Sequence, residues 1–176
     1  MSEPEYWLRG PIEGIAPLLQ PVAHALLQAR EDVAETLSHL TADDIWTLAG
    51  RAASIGFHVR HLCGSLDRLL TYARGEALTA VQLANLQRED AAGTPPADAA
   101  MLVNAVNDAI ERALAQVRAT DVSSLGEVRL VGRQRLPSTT LGLLFHAAEH
   151  ATRHAGQIIT TAKMVRVTES GGAAPR

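Results

Sequence analysis

Residues 146–157 read His-Ala-Ala-Glu-His-Ala-Thr-Arg-His-Ala-Gly-Gln, which sets His146, His150 and His154 four residues apart. Four residues turn an α-helix through about 400°, so successive rings are offset by only about 40° and climb one side of the rod. Imidazole nitrogens disposed this way can converge on one divalent ion at about 2.0–2.1 Å. The chain has seven histidines, and three of them lie here. A site open to chemistry takes a further ligand from another element, and His58-Val-Arg-His61 offers two candidates.

The stripe of Leu143, Ala147, Ala151, Ile158, Ala162 and Val165 defines the inward side of the last segment. His154 lies near its middle, with His150 about 40° and His146 about 80° away. Buried imidazoles without an ion must satisfy several ring nitrogens and repel one another when protonated, whereas a divalent ion uses their neutral nitrogens directly. For the other pair, the periodicity places His58 about 60° and His61 about 120° from the stripe centre, and so favours His58. Glu149 projects about 100° from His150, which suits a salt bridge better than general-base work. The order also differs from the His-Glu-x-x-His of zinc proteases, and no Glu-x-x-His pair suggests a di-iron bundle.

These residues need long helices to hold them. Ile15, Leu18, Leu19, Val22, Leu26, Val33 and Leu37 predict a first helix over about 13–40, with Pro17 and Pro21 confined to its first turns or kinking it. Ile55, Val59, Leu62, Leu66, Leu69, Leu70 and Ala73 predict a second over about 51–74, stopped by Gly75. The weak pattern of 76–96, ending in charged and proline-bearing sequence, reads as a crossover linker. Met101, Leu102, Val106, Ile110, Leu114 and Val117 predict a third helix ending near 119. Partial alternation over 127–136 allows a short extended excursion, and Pro137-Ser138-Thr139-Thr140 reads as the cap of a last helix over about 139–167. The expectation is an all-α four-helix bundle in one domain, residues 1–167, with a long crossover between helices 2 and 3. Residues 168–176 are expected to form a disordered tail.

Composition narrows the function classes. A formal net charge of −3, with 16 Lys and Arg residues spread along the chain, argues against nucleic-acid or anionic-membrane binding. The first ten residues carry no signal-peptide pattern, and no run approaches about 18 apolar residues. One cysteine, Cys63, cannot form an internal disulfide, which fits a reducing cytoplasm. Aromatic residues make up only 3% of the chain, so aliphatic side chains must fill the core.

The segment Ile55-Gly-Phe-His58-Val-Arg-His61-Leu-Cys-Gly-Ser65-Leu-Asp67-Arg68, followed far downstream by His150-x-x-x-His154-x-Gly156-Gln157, resembles the DinB/YfiT-like metalloenzyme superfamily. The resemblance covers essentially the whole chain. It implies an up-down-down-up bundle, commonly dimeric, in which His61, His150 and His154 hold one divalent ion, zinc or nickel. His58 and His146 lie beyond that triad, as supporting groups or as a replacement for one member. The resemblance further implies a transferase that activates a low-molecular-weight thiol, such as bacillithiol or mycothiol, toward a small electrophilic substrate. Hydrolysis by metal-bound hydroxide is the close second, and a non-catalytic bundle with a structural metal is the alternative from another class. Gln157, one turn below His154, is the candidate to hydrogen-bond the bound cofactor or substrate.

Overall fold

A computed structural model describes residues 3–170, with the backbone alone described for 167–170. Four long helices make the body: α1 (Gln20–Leu37), α3 (Ile55–Ala73), α5 (Ala99–Ala119) and α6 (Thr140–Ser170). Helix α6 packs against both α3 and α1, and α5 packs against the same two helices. Two short helices, α2 (Ala42–Trp46) and α4 (Ala80–Leu86), lie in the connections.

Three of the long helices, α3, α5 and α6, start where a side chain satisfies a free amide, whereas α1 follows Leu19 with no side-chain cap. Ser54 accepts a hydrogen bond from Phe57 N at 3.1 Å, Asp98 from Met101 N at 2.8 Å, and Thr139 from Gly142 N at 3.0 Å. The first helix begins later than its apolar pattern suggests, because Pro17–Leu19 form a separate 3₁₀ turn ahead of Gln20. Gln20 then ties the N-terminal segment down, donating to Ile12 O at 2.9 Å and Ile15 O at 2.8 Å.

Two expectations need amendment. The 76–96 crossover carries α4, whose Thr79 and Gln82 form a reciprocal capping box. Gln82 also donates to Asp67 Oδ2 at 2.9 Å and Thr71 Oγ1 at 2.8 Å, which fastens α4 to α3. The chain is also not purely α, because β1 (Val128–Val131) pairs antiparallel with β2 (Leu136–Thr139), in register from Val128 opposite Thr139 to Val131 opposite Leu136. The last helix runs to Ser170, and residues 171–176 of the expected tail lie outside the described residues.

The core is aliphatic, centred on Leu19, Leu26, Val33, Leu37, Ile55, Leu62, Leu66, Ile110, Leu114, Leu144 and Ile158. Burying each such side chain contributes about 1.5–3 kcal/mol of transfer free energy, so this seam, rather than polar pairing, holds α3 and α6 in fixed register. Among the described residues, no helix is long and apolar enough to cross a membrane.

Candidate metal centre

The α3–α6 seam brings the histidines together. His61 from α3 and His150 and His154 from α6 each present a ring nitrogen within 4.8 Å of the other two. His154 is buried, whereas His61 and His150 are half-buried at the edge of the seam. Ring centroids lie 4.6 Å apart for His150 and His154, 4.7 Å for His61 and His154, and 5.2 Å for His61 and His150.

The closest approach is between His61 Nε2 and His150 Nε2, at 3.1 Å. Two ligands held about 2.0–2.1 Å from one ion at the tetrahedral angle stand about 3.3–3.4 Å apart, so the rings are spaced almost as an ion would hold them. His61 Nδ1 lies 2.6 Å from Glu89 Oε2. A carboxylate oxygen only accepts, so the ring proton sits on Nδ1 and the Nε2 lone pair faces His150. His150 Nδ1 is buried with no hydrogen-bond partner among the described residues. A lone pair aimed across a short gap at a second ring nitrogen is a feature that a bound cation would relieve, whereas His150 Nδ1 points away from that gap and cannot reach the same ion. The donor set therefore fits a divalent ion.

Electrostatics favour the neutral state of His150 and His154. Burial, reinforced by the positive potential of His150, His61, His58 and Arg153, pushes His154 down to about 3. His150 is lowered by burial and then by His61, His146 and Arg153, and His58 by burial and His61. Neutral imidazoles at pH 7 need lose no proton to bind a metal.

The other histidines take distinct places. His58, favoured by periodicity, is buried, but its Nδ1 faces His154 Nδ1 at 3.1 Å and it lies outside the converging group. It is a neighbour of the triad that can share one proton with His154. His146 is half exposed, with Nδ1 3.4 Å from Glu149 Oε2, and is likewise outside the group. Glu149 is hydrogen-bonded by Arg153, which holds its carboxyl below the usual range and makes it a weak base. Gln157 is exposed on α6, with no polar contact to the histidines among the described residues. Burial pushes the Cys63 thiol up to about 12, which keeps it protonated and inert near neutrality.

Sequence reasoning passed over Glu89. It stands in the charged crossover segment, yet only 6% of its surface is exposed, and its second oxygen receives Arg68 Nη1 at 2.6 Å. A readable signal was Gly64 in the middle of α3, since a glycine inside a helix costs about 1 kcal/mol and often marks a close approach. A Cβ at Gly64 would run into the Glu89 carboxylate and come within 2.7 Å of Arg68 Nη1.

With this geometry in hand, comparison with known proteins places the chain in a family. A family model described as the DinB superfamily matches residues 25–158, a stretch that takes in all three converging histidines. The chain belongs to the DinB superfamily. Its fold is similar to a crystal structure described as the conserved protein of a locus from Enterococcus faecalis, with a TM-score of 0.69 and 18% identity over 85% of this chain and 97% of that one. At that identity the likeness shows the fold alone. No curated protein matches the chain.

Proposed function

We propose that this DinB-superfamily chain is a divalent-metal-dependent transferase that activates a low-molecular-weight thiol toward a small electrophile, with His61, His150 and His154 as the ligands of zinc or nickel. The observation that carries the reading is the convergence of three imidazoles, from two helices, at the solvent-reachable edge of the α3–α6 seam. A divalent ion held by three neutral ligands keeps its full charge and an open position, and so supplies the Lewis acidity that turns a thiol into a thiolate near pH 7. His61 and His150, half-buried, leave that position reachable, while buried His154 fixes the depth of the site. Gln157, exposed below His154, is assigned to the bound thiol or substrate.

Thiol activation is preferred to hydrolysis because the nearest carboxylate on α6, Glu149, is engaged by Arg153 and poorly suited to take a proton from water. The up-down-down-up direction of the bundle and a homodimeric state belong to the same reading and rest on family resemblance, and a cytoplasmic location rests on the single cysteine, Cys63.

The test is an assay of zinc- and nickel-loaded protein with bacillithiol, mycothiol and glutathione against a panel of small electrophiles. The reading predicts thiol consumption that chelation abolishes and metal restores, that His61→Ala lacks, and that Gln157→Ala weakens without changing metal content. Loaded protein that consumes no thiol yet cleaves esters or amides would turn the reading to hydrolysis. Loaded protein inert to both would leave a structural metal.

A further inference from the structure

The crossover between α3 and α5 does more than connect them. Beyond α4 it folds back so that Glu89 reaches α3, where one carboxylate oxygen accepts from His61 Nδ1 at 2.6 Å and the other from Arg68 Nη1 at 2.6 Å. Arg68 and Glu89 are 11% and 6% exposed, so this is a largely dehydrated contact whose geometry is tightly held. Gly64, one turn from both His61 and Arg68, supplies the space that the carboxylate occupies.

A second set of contacts holds the crossover in place. The Arg60 guanidinium lies 4.9 Å over the Trp46 ring and donates to Ala91 O, and to Ala92 O at 3.2 Å. Trp46 Nε1 in turn donates to Ala97 O at 2.8 Å. The backbone on the C-terminal side of Glu89 is thus fastened to the first turns of α3 and to α2.

We propose that Glu89, held by Arg68 and by the Arg60–Trp46 clamp, is a positioning residue that fixes the tautomer and ring orientation of His61 and so tunes metal affinity. The crossover is then an outer part of the metal site. A ligating imidazole whose far N–H is fixed by a carboxylate is both oriented and made more basic, and loss of such a partner typically costs 10–100-fold in metal affinity. A plain ion pair between Arg68 and Glu89 would instead leave His61 free to carry its proton on either nitrogen. The inference rests on the metal reading above.

The test uses two readouts on the full chain. In metal-free parent protein, ¹⁵N spectra of the imidazoles are expected to show His61 protonated on Nδ1, and Glu89→Gln to lose that preference. Competition titration with zinc is expected to give a dissociation constant about 10–100-fold higher in Glu89→Gln than in the parent. Gly64→Ala, which displaces the carboxylate without removing its charge, is expected to act in the same direction and serves if Glu89→Gln fails to fold. A parent that takes up no zinc overturns the metal reading and this inference with it. A parent that binds zinc while both variants bind it equally, or a His61 protonated on Nε2, overturns this inference alone.

Discussion

Lowering the pH of metal-free protein from 7.5 to 5 should destabilise it by about 2 kcal/mol through His154 alone. A histidine whose folded pKa lies below its unfolded value costs stability as pH falls, because the unfolded chain takes up a proton that the folded chain refuses. His154 is lowered from 6.5 to about 3. The loss therefore begins as pH falls through 6.5 and continues to about 3, at about 1.4 kcal/mol per pH unit. His58 and His150 are shifted the same way and add to it. For a domain of this size, about 2 kcal/mol corresponds to a fall in Tm of roughly 4–8 °C. Calorimetry in chelator across this range would read it, above the region where ordinary carboxylates titrate. His154→Leu should flatten the slope by one proton. A parent Tm that stays constant between pH 7.5 and 5, or a His154→Leu variant that keeps the parent slope, would refute the placement of His154 as a buried neutral imidazole.

Three further outcomes follow from particular contacts. Gly56→Ala places a Cβ 2.6 Å from two atoms of the buried face of the Trp46 ring, and should cost about 1–3 kcal/mol in urea unfolding despite the better helix propensity of alanine; a stabilised variant would contradict the close packing of Trp46 on α3. His146→Ala should bind zinc within about twofold of the parent in a competition titration, because its half-exposed ring lies outside the converging group; a loss of about 10-fold or more would bring His146 into the site. Cys63, part-buried and with its thiol pushed up to about 12, should react with a disulfide reagent at pH 7.5 far more slowly than a free cysteine; labelling at the free-cysteine rate would contradict the raised thiol.

Much of the scaffold was legible because its signals are local. Of the apolar stripe Ile55, Val59, Leu62, Leu66, Leu69, Leu70 and Ala73, all but the part-buried Leu69 are buried as the period implies, and Thr139 caps the last helix as its position before the stripe suggests. The short helices were missed although Thr41-x-x-Asp44 and Thr79-x-x-Gln82 are capping boxes, because five and seven residues are too few to establish a period. The hairpin shows in sequence only as weak alternation, since Val128, Leu130 and Leu136 stay exposed and do not mark a buried face.

The site was legible in part, for a geometric reason. His150 and His154 share a helix, so their spacing alone fixes their neighbourhood. Periodicity favours His58 and only the family resemblance points to His61: helix α3 packs on both α5 and α6, so the centre of its stripe does not mark the side that meets His150 and His154. His58 turns inward to His154, whereas His61 reaches the seam edge where an ion can enter. Glu89 is separated from His61 by 28 residues and joins it only through the fold of the crossover, which no periodicity encodes.

The central claim is that one divalent ion sits among His61, His150 and His154. Elemental analysis of untagged protein, after incubation with zinc or nickel and removal of excess ion, measures it most directly beside His61→Ala and His150→Ala. About one ion per chain in the parent and little in either folded variant is the predicted result. A parent without bound metal, or variants that retain the full amount, would contradict it.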